Sequence, residues 1–166
     1  MPTARVHIRA SDADDTLLLR SLIRRAFKDV AVRFGLRPDN CPTHPSNCTR
    51  EWIENGFIRG VRYFILEVSG TPVGCVALER ATEETCYLER LSVLPGSRRK
   101  GYGRALVAHV INEAEKMEAG EISIGVIAGD TDLKAWYRRL GFIEKGTRQF
   151  TNLPFRVTFM TYALNP

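Results

Sequence analysis

The sequence predicts an α/β domain built on a mixed, mostly antiparallel sheet of six or seven strands with helices on both faces. Three observations carry that expectation. Short alternating or apolar runs recur along the chain as strands, helical spacing governs separated stretches near 17–30 and 103–118, and from 61 to 94 strand follows strand with no helix between. Successive strands of the middle region pair antiparallel, whereas strands separated by helices need crossovers between near-parallel neighbours. At 166 residues the chain has the size of a single domain, 1–166.

Each element follows from its local pattern. RVHIR, at 5–9, alternates as a short strand, and Asp12 stands where it can cap the next segment. Leu18, Leu22, Ile23, Ala26, Phe27 and Val30 then recur at helical spacing. The stretch FGLRPDNCPTHPSNCT holds three prolines and reads as a loop. Structureless loops beyond about 12 residues are uncommon and often bind something. A short helix is predicted over 50–58, ended near Gly60.

VRYFILEV and PVGCVALER flank a turn at Ser69-Gly70-Thr71 as a hairpin, and TCYLERLSVL is a third long strand. Over 103–118, Leu106, Val107, Val110, Ile111, Ala114 and Met117 form one helical stripe, with Gly120 predicted as the stop. ISIGVIA is a strand, DTDLKAWYRRLGF a short helix ended by Gly141, and FIEKGTRQF and RVTFMTYAL are the last strands. The order is therefore βα(α)βββαβαββ. Central strands should read as continuously apolar, yet the third long strand carries Glu89 and Arg90. Charge there is costly unless it is paired or reaches a cleft.

Composition excludes several classes. Apolar residues are 44% and charged residues 26%, an ordinary globular mix. No run approaches the roughly 18 to 20 apolar residues of a membrane helix, and MPTARVHIRASDADD lacks the apolar core of a secretory signal. The expected location is the cytoplasm. Four cysteines are too few for a disulfide framework, and Cys75 and Cys86 read as small buried hydrophobes. Cys41-x-x-His44-x-x-x-Cys48 offers three ligands where a closed zinc site wants four, so no metal is expected. The net charge of +5 favours an anionic partner. The basic cluster RRKGYGR is one compact turn rather than a stripe, which argues against nucleic acid.

That turn is the most informative segment. In LSVLPGSRRKGYGRALVAHVI a strand ends near Leu94, Arg98, Arg99 and Lys100 follow, then Gly101 and Gly103, Arg104 and an amphipathic helix. Glycines allow close backbone approach, and the first amides of a helix point outward unpaired, ready for phosphate oxygens. The triphosphate-binding pattern G-x-x-x-x-G-K-S/T is absent. The dinucleotide pattern G-x-G-x-x-G fails because Leu106 holds its last glycine position.

These residues resemble the GCN5-related N-acetyltransferase (GNAT) superfamily. Its motif Arg/Gln-x-x-Gly-x-Gly/Ala is matched by Arg98-Arg99-Lys100-Gly101-Tyr102-Gly103 after Val93-Leu94-Pro95. A second signature, Asn followed by a helix with Tyr and then Gly-Phe, is matched at Tyr137 and Gly141-Phe142 and departs at Asp130, which cannot donate a hydrogen bond when ionised. The resemblance implies the GNAT fold and acetyl-CoA as co-substrate. Its pyrophosphate would lie against the amides from Arg99 to Arg104, beside Arg98, with Leu91, Val93, Asp130 and Tyr137 also contacting the donor.

In the resembled fold the strand before the glycine loop splays from its neighbour. An amide at Leu91 or Val93 would stabilise charge on the thioester oxygen, and Tyr137 would protonate the leaving thiolate. Period-two alternation puts Tyr87, Glu89, Leu91 and Val93 on one face, so Glu89 is the candidate base, directly or through water. A structural ion pair for Glu89 stays open, and Glu79 and Glu84 are weaker candidates near strand ends. Trp136 and Phe142 read as core or donor-flanking aromatics.

The resemblance also implies that the 34–49 loop covers the acceptor side, with Pro42 and Pro45 stiffening it and His44, Ser46 and Asn47 offering polar contacts. Phe150, Asn152 and Phe155 would shape the same pocket, with Phe159 and Met160 packed structurally. The expected reaction is acetyl transfer to a primary amine, the acceptor a small molecule. A protein amine and a non-catalytic acyl-CoA-binding module remain open, and a homodimer is in keeping with the superfamily.

Overall fold

The computed structural model describes residues 3–164. After β1 (Val6–Ala10), Asp12 closes a capping box over the single turn Ala13–Asp15, and α1 (Thr16–Arg33) begins there. The buried stripe of α1 is Leu19, Leu22, Ile23 and Ala26; of the predicted stripe Leu22, Ile23 and Ala26 are buried, Leu18, Phe27 and Val30 are half-buried, and Leu19 takes the innermost place in the first turns. The long loop that follows contains one short turn at Pro45–Asn47. Thr49 caps α2 (Arg50–Arg59), and Gly60 ends it at φ 91°. Next come β2 (Arg62–Val68), β3 (Thr71–Arg80) and β4 (Thr85–Val93), the first two joined through Ser69 and Gly70, both at positive φ. α3 (Tyr102–Lys116), β5 (Glu121–Ile127), α4 (Thr131–Arg139), β6 (Ile143–Gln149) and β7 (Arg156–Ala163) complete the chain.

The strands form one seven-stranded sheet in the order β1-β2-β3-β4-β5-β7-β6. α1 and α2 pack on one face through Leu19, Leu22, Ile23 and Ile53, over Tyr63, Ile65, Cys75 and Ala77. On the other face, Leu106, Val107, Val110 and Ala114 of α3 and Tyr137 of α4 meet Val76, Leu78, Leu88, Ile122 and Ile124. Each fully buried aliphatic side chain contributes roughly 1.5–3 kcal/mol by leaving water, which is what holds two helical layers on one sheet.

Three expectations change. β1 and β2 are antiparallel neighbours although helices separate them. Two helices intervene, so the chain goes out on α1 and back on α2. The parallel crossover holds only where one helix intervenes between neighbours, at β4-α3-β5. The left-handed residue after α3 is Glu118, at φ 59°, not Gly120. The amide of Gly120 instead donates to the Glu84 carbonyl at 2.7 Å, where the glycine packs directly against that residue. Finally, Glu89 does not share a face with Leu91 and Val93, for the reason given next.

Candidate active site

The site originates in two irregularities of β4. On one side β4 pairs with β5 only through Thr85, Cys86 and Tyr87, opposite Glu121, Ile122 and Ser123. Beyond that the two strands part, and a cleft of about 1020 Å³ opens between them. On the other side the β3 register shifts, with Ala77 opposite Glu89 but Cys75 opposite Ser92. Arg90 and Leu91 therefore face one residue, a β-bulge, and Arg90 sits at φ 53°. The bulge reverses the alternation. Tyr87 and Glu89 lie on the α1/α2 face, while Leu91 and Val93 pack with Leu88 against the α3 core.

Backbone direction follows from one hydrogen bond. The Leu94 amide donates to Val73 of β3 at 2.8 Å. Alternation along the strand then turns the Val93 and Leu91 amides toward the open β5 side. The Val93 carbonyl on that side is already taken, accepting from Arg98 Nε at 3.0 Å.

At one end of the cleft is the start of α3. Gly101, at φ 84°, is its N-cap, with no capping side chain and no acidic residue in the first turn. The first bond into the helix runs from the Ala105 amide to Gly101 O. The amides of Tyr102, Gly103 and Arg104 precede it and have no helical acceptor. α2 and α4, by contrast, are capped by Thr49 and Asp130. An uncapped helix start beside Arg99 and Arg104 has the free amides and positive charge that an anion would need.

The basic residues divide here. Arg98 is committed to α1, binding the Asp29 carboxylate at 2.8 Å and the Ala26 carbonyl at 2.7 Å. It anchors the loop, and Arg98, Arg99, at φ 62°, and Arg104 all line the cleft. Asp130 is buried, accepts from the Leu133 amide at 3.3 Å and pairs with Arg33 at 3.4 Å. Its acidity serves the α4 cap and a tether to α1, a use that needs no donor.

Tyr137 is 4% exposed, with its ring edge-on to Trp136 and Phe142. It lines the cleft, and its hydroxyl has no hydrogen-bond partner among the described residues. Burial pushes its pKa well above the ordinary phenol value, so it is protonated across the physiological range. Glu89 also lines the cleft. Burial, and then the nearby Glu79, push its carboxyl above the usual range, against Arg90 and Arg59. Glu89 makes no ion pair among the described residues, whereas Glu79 pairs with Arg59 at 3.4 Å.

Not every candidate converges. His44 and Pro45 line the cleft, but Ser46 and Asn47 line a separate hollow on the outer side of α1. Cys41 and Cys48 are fully buried thiols, and among the described residues no three His, Cys, Asp or Glu side chains converge as metal ligands. Phe155 reaches the cleft; Phe150 packs on Phe159 and Asn152 lies outside it. Arg90 lines the cleft beside Glu89, although the sequence marked it only as a misplaced charge.

The Acetyltransferase (GNAT) family profile matches residues 25–142, well over half the chain and including both β4 and Tyr137. The chain belongs to this family. The ribosomal protein bS18-alanine N-acetyltransferase of Escherichia coli K12 is 30% identical to this GNAT member over 101 residues, covering 59% of the chain and 68% of the relative. The crystal structure of the Escherichia coli ribosomal-protein-S18-alanine N-acetyltransferase superposes with a TM-score of 0.78 at 20% identity, covering 98% of this chain and 96% of that one. The amino-acid acetyltransferase of Neisseria meningitidis is 32% identical over 95 residues, 57% of this chain, but the match spans only 20% of that relative's length. PaiA N-acetyltransferase from Thermoplasma acidophilum, solved in complex with coenzyme A, superposes with a TM-score of 0.77 at 16% identity, covering 96% of this chain and 99% of that one.

Proposed function

We propose that this GNAT member transfers the acetyl group of acetyl-CoA to a primary amine, most simply that of a small molecule, by direct attack on the thioester. The supporting observation is that one cleft joins the uncapped start of α3 to the β4–β5 opening, with Tyr137 and Glu89 both on its wall. The free amides of Tyr102 to Arg104, aided by Arg99 and Arg104, would take the pyrophosphate. The coenzyme A complex of a fold relative and the amino-group acceptors in two relatives' names support the same reading.

The chemistry needs an unprotonated amine, a sink for charge on the thioester oxygen and a proton for the departing sulfur. Glu89 takes the amine's proton, directly or through water, and its raised pKa makes it a better base than an exposed carboxylate. The open Leu91 or Val93 amide faces the developing oxygen charge. Tyr137 supplies the proton to sulfur, with a hydroxyl that burial keeps neutral. No covalent acyl-enzyme is needed.

The test is acetyl-CoA turnover with a broad amine panel, read as free thiol. Amine-dependent thiol release is expected. CoA binding without any such release would leave a non-catalytic binding module. A second measurement addresses the anion end. A Cβ on Gly103 would stand 3.4 Å from the Trp136 ring and 3.8 Å from Val93, so alanine makes ordinary contact and the two further methyls of valine are expected to overpack the site. Gly103→Val is expected to weaken CoA binding by roughly tenfold or more, since overpacking strain of about 1–3 kcal/mol falls on the phosphate cradle. Calorimetric titration giving wild-type affinity in the folded variant would contradict that placement.

A further inference from the structure

Arg90 has a use that neither the fold nor the transfer chemistry explains. It occupies the bulge of β4 at φ 53°, a conformation costly for a residue with a Cβ. Its guanidinium is held on two sides: Nη1 donates to the Tyr63 hydroxyl at 3.1 Å, and the group lies over the Trp52 ring at 5.6 Å from the centroid. Tyr63 is buried and braced edge-on by Phe57, so the mount is rigid.

A guanidinium has five N–H donors, and among the described residues only the Tyr63 contact uses one. Among the described residues no carboxylate lies within ion-pair distance of it. Glu79 is taken by Arg59, and Glu89, next in the chain, makes no ion pair. Of the other arginines around the cleft, Arg98 pairs with Asp29 and Arg33 with Asp130, while Arg99, Arg104 and Arg139 make no ion pair among the described residues; Arg90 differs from these three in being held by Tyr63 and Trp52. Arg90 is thus a half-buried, pre-oriented cation on the cleft wall with no ion pair among the described residues. Such a group is expensive unless a ligand completes it. Its planar fork matches a carboxylate.

We infer that Arg90 binds a carboxylate of the acceptor, so that the preferred acceptors carry a carboxylate within a few bonds of the reacting amine. The inference rests on the acetyl-transfer reading above. Neighbouring Glu89 and Arg90 then present an acid and a base partner to a zwitterion. Glu89 meets the ammonium end and removes its proton, while Arg90 fixes the carboxylate end and thereby the approach of the nitrogen. Arg90 is a specificity-determining contact; it exchanges no proton.

The experiment compares kcat/KM for matched acceptors. One set pairs free α-amino acids with their carboxamides; the other pairs short peptides beginning with Asp or Glu with those beginning with Asn or Gln. Simple alkylamines are included. Wild type is expected to favour the carboxylate member of at least one set by roughly tenfold to a hundredfold, the usual worth of hydrogen bonds to a charged group. Which set shows the preference identifies the carboxylate's source.

Arg90→Gln is expected to collapse that ratio toward unity and Arg90→Lys to keep part of it, both with unchanged CoA affinity as the check on folding. A wild-type ratio near unity, or a ratio that survives Arg90→Gln while all rates fall together, would overturn the inference. The second pattern is what a purely structural role, or an effect on Glu89 alone, would give. Turnover confined to amines without a carboxylate overturns this inference and leaves acetyl transfer standing. Absence of amine-dependent turnover with every acceptor overturns the transfer reading itself.

Discussion

Tyr137→Phe is expected to lower the single-turnover rate of acetyl transfer by roughly a hundredfold, the low end for a general acid, because a thiolate leaves readily. The substitution keeps the ring that packs on Trp136 and Phe142 and removes only the hydroxyl. That hydroxyl has no protein partner among the described residues, so its loss orphans nothing in the core. Stability and acetyl-CoA affinity should change little, since the proton matters once charge develops on sulfur. Single-turnover measurement is required, because slow product release can hide a slower chemical step. An unchanged rate at saturating substrates in the folded variant would remove Tyr137 from the mechanism and leave solvent as the proton source.

Glu89→Gln is expected to depress kcat/KM by roughly a hundredfold, within the range for loss of a general base, and to change the pH profile. Burial raises the Glu89 pKa, so wild-type activity should rise with pH through a value above the ordinary glutamate range. That limb should vanish in Glu89→Gln, leaving the acceptor amine's own titration. A wild-type profile in the variant would show that Glu89 is not the base. The stability effect has the opposite sense from that of a salt-bridged acid. A carboxyl whose folded pKa is raised favours the folded state at low pH, and that benefit is lost as pH rises from the unfolded toward the folded pKa. Glu89→Gln escapes the cost of burying a charge, so it should be at least as stable as wild type at neutral pH, by thermal denaturation.

How much was legible in the sequence depended on whether a feature is set by neighbours along the chain. Helix stripes, the Ser69-Gly70 hairpin turn and the Gly101 start of α3 were legible because each follows from local spacing or backbone preference. The glycine loop and Tyr137 were legible because their residue types lie in order in the right strand and helix contexts. The faces of β4 were not. A bulge is a property of two paired strands, and nothing local in TCYLERLSVL says that β3 skips a residue at Arg90. The charge misfit did point to Glu89 and Arg90 together, which is the signal that could have marked Arg90. Nor could the basic run be divided from sequence, because Arg98 is claimed by Asp29, a partner far away in the chain, just as Asp130 is claimed by Arg33. Asp130 looked like a departure from a motif for the same reason.

The most direct test of the central claim, that this one cleft carries acetyl-CoA chemistry, is a crystal structure of the chain with CoA bound. The expected result has the pyrophosphate on the amides at the start of α3, the pantetheine arm in the β4–β5 opening and the sulfur within hydrogen-bond reach of the Tyr137 hydroxyl. CoA lodged instead against the outer hollow of α1, lined by Arg24, Arg25, Lys28 and Arg37, with the β4–β5 opening empty, would contradict it.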